Sequence, residues 1–276
     1  MDLQLIKANV KRALKEDKAK NDLSLSMLKG ISDKTITANL TVNEKAILSG
    51  TKWFEESFKQ LETKIKVKWN FKEGENLPKN SLVATIRGPA NAILSGERTA
   101  LNFLQFMSGI SSKTSAIKKT IKNKNIKLLD TRKTIPGMRF EQKYATSIGG
   151  AQNHRFDLAD GLMIKDNHIA VAEGIENLFF KKNLKKGKFL EIEVKKLSQI
   201  EAALKLNPDI IMLDNLKYSS LIKAISIISK KCMVEVSGIK DENDFKEVSK
   251  LDIDFISLGD LTKNISSIDF SLNFNV

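Results

Sequence analysis

The second half of this chain alternates short apolar runs with helical segments, and this order constrains the fold more than any other feature. From about residue 110 onward, six apolar runs have the length of a buried parallel strand. Helical segments such as LSQIEAALKLN and LIKAISIISK lie between the runs. Such a series closes into a barrel or opens into a doubly wound sheet. The runs are IKLLDT, GLMIKD, FLEIEV, DIIMLD, CMVEVS and DFISLG.

The first hundred residues mix helical and strand patterns without a steady order. Apolar residues at helical spacing predict an amphipathic helix over residues 3–15. Further helices are predicted in WFEESFKQLE and GERTALNFLQFMSGIS, with a Gly-Pro break before the second. Strands are predicted in ITANLTV, AILSG and KIKVKWNF, the last of which alternates cleanly. This region is therefore expected to form a small α+β domain.

Polar residues or glycine follow all six apolar runs. In both α/β architectures the chemistry collects at the carboxyl ends of the strands. Cations follow the first two runs, carboxylates end the third and fourth, and the fifth and sixth end in glycine-containing turns. Strands must exit into polar loops anyway, but six such ends on one rim predict a site for a polyanionic ligand and a metal. The residues are Asp130, Arg132 and Lys133; Lys165, Asp166 and Asn167; Glu193 and Lys195; Asp214 and Asn215; Ser237 and Gly238; Gly259 and Asp260.

The few arginines support an anion site. The formal net charge is +13, yet only six of the 46 basic residues are arginines, and four of these six fall between residues 98 and 155. The guanidinium is a planar fork that grips carboxylate or phosphate bidentately, whereas lysine is a mobile point charge. The arginines in this segment are therefore expected to make the anion contacts whose geometry matters.

Composition argues against several other classes of protein. A single cysteine, Cys232, excludes an intramolecular disulfide and a cysteine-based zinc cluster, and its apolar setting favours a packing role. No apolar stretch approaches the roughly 20 residues of a membrane-spanning helix, and the N-terminus does not resemble a signal peptide, so we expect a cytoplasmic protein without a membrane partner. A nucleic-acid partner is not expected either, because aromatic residues do not interleave with the cations.

Eight stretches stand out, in chain order: GERTALNFLQFMSGIS, DTRKTIPGMR, EQKYATSIGGAQNHR, LMIKDNHIA, EIEV, IIMLDN, EVSG and ISLGDLT. Together they resemble those of quinolinate phosphoribosyltransferase, also called nicotinate-nucleotide pyrophosphorylase (carboxylating). The resemblance implies an α+β sandwich over residues 1–109, with residues 265–276 as a candidate addition, and an incomplete, open α/β barrel over residues 110–264. It also implies phosphoribosyl transfer from phosphoribosyl pyrophosphate to quinolinate with loss of CO2 and pyrophosphate, which gives nicotinate mononucleotide for NAD biosynthesis.

The resemblance also assigns quinolinate-binding residues. Arg132, His154 and Arg155 match the positions that bind quinolinate in the family. Arg98 is expected to reach the site from the neighbouring subunit of a homodimer or a larger assembly of dimers. Arginine forks suit the two carboxylates of a planar ring.

Further matches concern phosphoribosyl pyrophosphate and catalysis. Lys133 and Lys165 match positions near the pyrophosphate and the reacting centre. Glu193 and Asp214 match the acidic pair that faces the ribose and its Mg2+, which they are expected to hold through water. The residues expected to cradle the 5'-phosphate are Ser237, Gly238 and Gly259.

Other residues in these motifs keep open roles. Asp130 is expected to orient Arg132 or Lys133 rather than to act as a catalyst. Arg139 is either a structural partner of Glu141 or Asp130 or a substrate contact. His168 either caps its loop or takes part in the site.

Three alternative functions remain compatible with the sequence. One is the molybdenum-transport-associated homologue, which shares parts of the pattern. Another is an aldolase-type barrel with Lys165 as its Schiff-base lysine. The third, a basic nucleic-acid-binding protein, fits the charge but lacks a binding motif.

The chain also departs from the family pattern in three places. The N-terminal segment EDKAKNDLSLS, residues 16–26, lacks the loop glycines common in the family. Ile239 replaces a second glycine, and Asp260 replaces a small residue beside a phosphate loop, where Lys263 is a candidate partner for the added charge.

Overall fold

The structure, a computed structural model, describes residues 2–28, 30, 34–178, 188–239 and 241–275. The strands are β1 (Thr35–Val42), β2 (Ala46–Ile47), β3 (Lys66–Trp69), β4 (Asn76–Leu77), β5 (Leu82–Pro89), β6 (Lys127–Leu129), β7 (Leu162–Ile164), β8 (Leu190–Val194), β9 (Ile210–Asp214), β10 (Met233–Ser237), β11 (Phe255–Ser257) and β12 (Phe270–Asn275). The helices are α1 (Leu3–Glu16), α2 (Thr51–Lys59), α3 (Ala90–Thr120), α4 (Arg139–Ile148), α5 (Asp166–Val171), α6 (Ile200–Leu204), α7 (Tyr218–Ile228), α8 (Glu242–Val248) and α9 (Asp260–Lys263).

A first compact unit contains residues 1–115, 136–150 and 264–276. Its main sheet is antiparallel with the order β12-β1-β5-β3. The C-terminal tail supplies the edge strand, in which Leu272 lies opposite Leu40 of β1. Leu40 packs in one cluster with residues of α2 and α3 such as Phe54 and Leu104, because alternate residues of β1 face inward. The unit is thus an antiparallel sheet packed against helices.

The predicted N-terminal helix is present as α1. The Asp2 side chain accepts hydrogen bonds from the backbone N–H groups of Gln4 and Leu5 at 2.9 and 3.3 Å and so caps the helix. Helix α3 is longer than predicted and begins at Ala90, directly after the Gly-Pro break. Proline lacks a backbone N–H, and the first turn of a helix does not need one, so the break marks the helix start.

A second compact unit contains residues 116–135 and 151–263. Its sheet has six parallel strands in the order β6-β11-β10-β9-β8-β7, so all six predicted runs form strands of one sheet. Strands β6 and β7 are the two ends of this order, and among the described residues no strand pairing joins them. On the outer side of β6, the structure shows an isolated parallel bridge between Leu129 and Gln152. The open α/β class predicted for this region is confirmed.

The alternation of side chains along these strands determines which residues face the apolar core and which face the site. In β8, Ile192 and Val194 pack in the apolar core, whereas Glu191 and Glu193 alternate with them and face the opposite side. In β10, Val236 likewise packs in the core. One face of the sheet therefore carries the polar residues.

Among the described helices, none has the length and apolarity needed to cross a membrane.

Candidate active site

A cleft of about 400 Å³ lies at the carboxyl ends of the parallel strands. Eight of the predicted site residues line it together, which places cations and carboxylates from six separate segments in one cavity. The lining residues are Thr131, Arg132, Lys133, His154, Arg155, Met163, Lys165, Asp166, Glu193, Met212, Asp214, Glu235, Ser237 and Ser257.

Three predicted residues lie elsewhere. Gly238 lines a neighbouring cavity of about 290 Å³ with Asn215. Gly259 lies beside Lys133, since a Cβ added there would come within 2.8 Å of the lysine Cδ. Arg98 is an exposed residue of α3 in the first unit, and its predicted role in a neighbouring subunit stays a prediction.

The two arginines of the cleft carry positive charge that a ligand would balance. Arg155 is buried, and its Nη1 donates to the carbonyl of Gly161 at 3.1 Å. Burial lowers the pKa of Arg155, and the positive charge of Arg132 lowers it further. The Arg132 Nε is buried and has no hydrogen-bond partner among the described residues. An anion bound here would satisfy that donor and relieve the repulsion.

Lysines and carboxylates form ion pairs at the rim of the cleft. The Lys165 Nζ lies 2.5 Å from the Glu193 Oε2. The Lys195 Nζ lies 2.6 Å from the Asp166 Oδ2 and 4.0 Å from the Asp214 Oδ2. The hydrogen bond between Lys195 and Asp166 lowers the pKa of the aspartate and raises the pKa of the lysine. Both signs of charge are therefore available to a phosphorylated sugar and a cation.

Asp130 orients the loop that carries His154. The Asp130 side chain is fully buried, and its Oδ1 accepts from the backbone N–H of His154 at 3.0 Å. Its Oδ2 accepts from the Asn153 Nδ2 at 2.6 Å. These contacts orient the segment containing Asn153 and His154, and the role of Asp130 toward Arg132 or Lys133 stays a prediction.

The sequence reading missed two buried glutamates beside His154. The His154 Nε2 lies 3.0 Å from the Glu191 Oε2 and 3.5 Å from the Glu235 Oε2, and both glutamates are fully buried. Burial lowers the pKa of His154, but contact with the two carboxylates outweighs burial and raises it to about 9. Burial raises the pKa of Glu191, as does the charge of Glu235, while contact with His154 lowers it. The sequence signal that could have revealed these glutamates is the presence of a charged residue inside each of the apolar runs LEIEV and MVEVS.

His168, whose role the sequence left open, has a local structural function. The His168 Nδ1 accepts from the backbone N–H of Lys165 at 3.0 Å, so His168 caps the start of α5.

In the N-terminal segment that lacks the loop glycines of the family, residues 16–26, Lys18 adopts a left-handed backbone conformation with φ 50°. A non-glycine residue thus supplies a backbone geometry that glycine adopts more easily.

Family models for two domains match this chain. The model described as "Quinolinate phosphoribosyl transferase, N-terminal domain" matches residues 22–108, and the corresponding C-terminal model matches residues 110–273. The two matches are consecutive and leave only short ends uncovered.

Individual proteins and solved structures are similar over most of the chain. A probable nicotinate-nucleotide pyrophosphorylase (carboxylating) from Methanocaldococcus jannaschii is 38% identical over 277 residues, which cover 96% of this chain and 95% of the relative. The nicotinate-nucleotide pyrophosphorylase (carboxylating) from Homo sapiens is 35% identical, with 85% and 81% covered. The structure of the nicotinate-nucleotide pyrophosphorylase from Francisella tularensis superimposes with a TM-score of 0.93 at 37% identity and covers 100% of this chain and 98% of that one.

Proposed function

This chain belongs to the quinolinate phosphoribosyltransferase family, and we propose that it converts quinolinate and phosphoribosyl pyrophosphate into nicotinate mononucleotide, pyrophosphate and CO2. The observation that carries the proposal is the convergence of Arg132, Arg155, Lys165, Glu193 and Asp214 on one cleft. Two polyanionic substrates need many cations, and a developing ribose cation needs carboxylates. This cleft supplies both.

Arg132 and Arg155 bind the two carboxylates of quinolinate. Three features support this role: the buried Nε of Arg132, the lowered pKa of Arg155 and the repulsion between the two guanidinium groups. A dicarboxylate would neutralise both groups, and the planar forks would hold the aromatic ring in one orientation. The ring nitrogen then faces the ribose.

Phosphoribosyl pyrophosphate lies toward Lys133 and Lys165, and the chain segments at Ser237, Gly238 and Gly259 cradle its 5'-phosphate. Glu193 and Asp214 fit an Mg2+ ion bound to the pyrophosphate, because their oxygens are hard ligands at the edge of the same cleft. Lys165 already pairs with Glu193, so contact through water suits the ion better than direct ligation. When bound, Mg2+ would balance the negative charge that grows on the leaving pyrophosphate.

The transfer needs positioning and electrostatics rather than a protein nucleophile. The lone pair of the ring nitrogen forms a bond to C1 of the ribose as the bond to pyrophosphate breaks, and the two carboxylates stabilise the positive charge at the sugar. The N-ribosylated ring is cationic, so it accepts the electron pair released when the adjacent carboxylate leaves as CO2. A proton then takes the place of CO2 on the ring.

We further propose that the protein acts in the cytoplasm as a homodimer in which Arg98 reaches the partner's cleft. Support comes from the exposure of Arg98 on α3 and from charge complementarity, because a further cation would stabilise a bound dicarboxylate.

The ion pair of Lys165 with Glu193 argues against the Schiff-base alternative, since Schiff-base formation requires an uncharged amine.

The direct test is to incubate the purified protein with Mg2+, phosphoribosyl pyrophosphate and quinolinate and to measure nicotinate mononucleotide by chromatography. Nicotinate in place of quinolinate is the matched control, since it lacks the second carboxylate. Product from quinolinate, with far less from nicotinate, is the expected result. A protein that folds normally but forms no product from quinolinate would contradict the proposal.

A further inference from the structure

The cluster of His154, Glu191 and Glu235 carries a role beyond those assigned so far. Glu191 and Glu235 come from β8 and β10, the two strands that flank β9. Strands two places apart are separated by about 10 Å, yet the two carboxylates converge on the His154 Nε2 from either side of β9. Met212 of β9 is in register with both Glu193 and Glu235, which places Glu191 one row deeper in the sheet.

Burying two carboxylates here is costly. Apart from the contact with the His154 imidazole, their four oxygens have no hydrogen-bond partner among the described residues. Isolated buried charges are strongly disfavoured unless they are paired, and an apolar pair would pack at the same place without this cost. The arrangement therefore indicates a functional constraint on His154.

His154 connects these carboxylates to the quinolinate-binding arginine. Its Nε2 faces Glu191 and Glu235, and its Nδ1 accepts from the backbone N–H of Arg155 at 2.7 Å. The same residue is tied to Asp130 through its backbone. Both ring nitrogens thus contact protein groups, and the imidazole orientation fixes the main chain at Arg155.

We propose that Glu191 and Glu235 are positioning residues for quinolinate: they hold the His154 imidazole in the wall of the cleft, and His154 in turn holds Arg155 in place. This inference rests on the proposed function, because quinolinate is the ligand that Arg155 grips. Glu191 does not line the cleft and Glu235 forms part of its wall, and in this inference both act through His154.

The test uses the isosteric variants Glu235→Gln and Glu191→Gln, which remove charge without changing shape. Each is expected to raise KM for quinolinate about tenfold, while KM for phosphoribosyl pyrophosphate changes less than about twofold. Glu201→Gln is the matched control, because Glu201 is an exposed residue of α6. Thermal unfolding of each variant reports whether it folds, and Glu191→Gln carries the test if Glu235→Gln does not fold.

A double-mutant cycle separates positioning from general loosening of the fold. In a His154→Ala background, Glu235→Gln should give no further rise in KM for quinolinate, because the residue through which it acts is gone. The inference is overturned if the two effects multiply, if KM rises equally for both substrates, or if KM stays unchanged in both single variants.

Two further outcomes are informative. Stoichiometric divalent metal in the purified protein that is lost in Glu235→Gln would make the cluster a metal site and overturn the positioning role. A wild-type protein that forms no nicotinate mononucleotide overturns the proposed function and this inference together. An active wild type with unaffected variants overturns the inference alone.

Discussion

Lys165 and Glu193 form an ion pair across two neighbouring parallel strands, with Nζ and Oε2 2.5 Å apart. The pairing of Ile164 with Ile192 sets this geometry, since each charged residue follows its paired isoleucine by one position. The Glu193 side chain is 7% exposed and the Lys165 side chain 39% exposed. The lysine side chain is thus partly accessible from the cleft, whereas the glutamate side chain is almost completely buried.

Breaking this pair should slow the reaction more than it weakens binding. Glu193→Gln removes a carboxylate that faces the developing ribose cation, so kcat is expected to fall by about 100-fold or more, with a smaller change in KM for phosphoribosyl pyrophosphate. Steady-state kinetics at saturating Mg2+ measure both constants, with Glu201→Gln as the control. A kcat close to that of the wild type would show that Glu193 does not stabilise the transition state.

Replacing Arg132 should distinguish charge from geometry. Arg132→Ala is expected to abolish measurable quinolinate binding without unfolding the protein, since its Nε is buried without a partner and so costs little to remove. Arg132→Lys keeps the charge but loses the planar fork, so kcat/KM for quinolinate should still fall about 10- to 100-fold. Calorimetric titration with quinolinate measures the binding.

Arg87→Ala serves as the control for Arg132, because Arg87 is exposed on β5 of the first unit. Near-normal turnover of Arg132→Ala would rule out the role of Arg132. Equal activity of Arg132→Lys and the wild type would show that charge alone is sufficient there.

The sequence predicted the strands and the rim residues but not what lies beneath them. Apolar runs and polar ends are local signals, so all six parallel strands and Lys165 and Glu193 were found in this way. The pairing of Glu191 with Glu235 through His154 is not local, since it depends on which strands flank β9. Periodicity contains no strand order, and the resemblance assigned His154 a role without naming these partners.

Gly238 should tolerate a side chain poorly. Its φ is +81°, and an added Cβ would lie 2.5 Å from the Asn215 Oδ1 and 2.8 Å from the Asn215 backbone nitrogen. Gly238→Ala is therefore expected to lower the free energy of unfolding by about 1–3 kcal/mol and to raise KM for phosphoribosyl pyrophosphate. Urea denaturation and steady-state kinetics measure the two effects.

Gly259→Ala provides the contrast. Its added Cβ would meet the flexible Lys133 side chain, so the lysine moves and stability changes little, whereas KM for phosphoribosyl pyrophosphate rises. If both alanine variants were equally stable, the left-handed backbone at Gly238 would not matter for folding.

Two contacts oppose each other in setting the pKa of His154: the carboxylates of Glu191 and Glu235 favour the protonated ring, whereas the Arg155 N–H donates to Nδ1 and so favours the neutral ring. Its pKa is raised from 6.5 to about 9 because Glu191 and Glu235 face its Nε2. A raised pKa in the folded state contributes stability that is fully present below pH 6.5 and disappears as the pH rises to about 9, and the loss of the Nδ1 hydrogen bond on protonation reduces that contribution. Nitrogen-15 NMR of the imidazole measures the titration directly.

With only two histidines in the chain, His168→Gln leaves a spectrum of His154 alone. Urea denaturation between pH 6 and pH 9.5 should show the loss of stability in His168→Gln and a smaller loss in His154→Gln. A titration midpoint near 6.5 would mean that the two carboxylates do not hold the proton.

The proposed contribution of Arg98 to a partner's cleft can be tested by mixing two inactive variants. Arg98→Ala and Arg132→Ala homodimers each lack one quinolinate contact in both sites. In a mixed dimer, one site receives both substitutions and the other receives neither, because Arg98 comes from the opposite subunit. Random mixing after co-expression should therefore restore about one quarter of wild-type activity per site, since about half of the dimers are mixed. Activity that stays at the level of the separate variants would show that Arg98 acts within its own subunit or not at all.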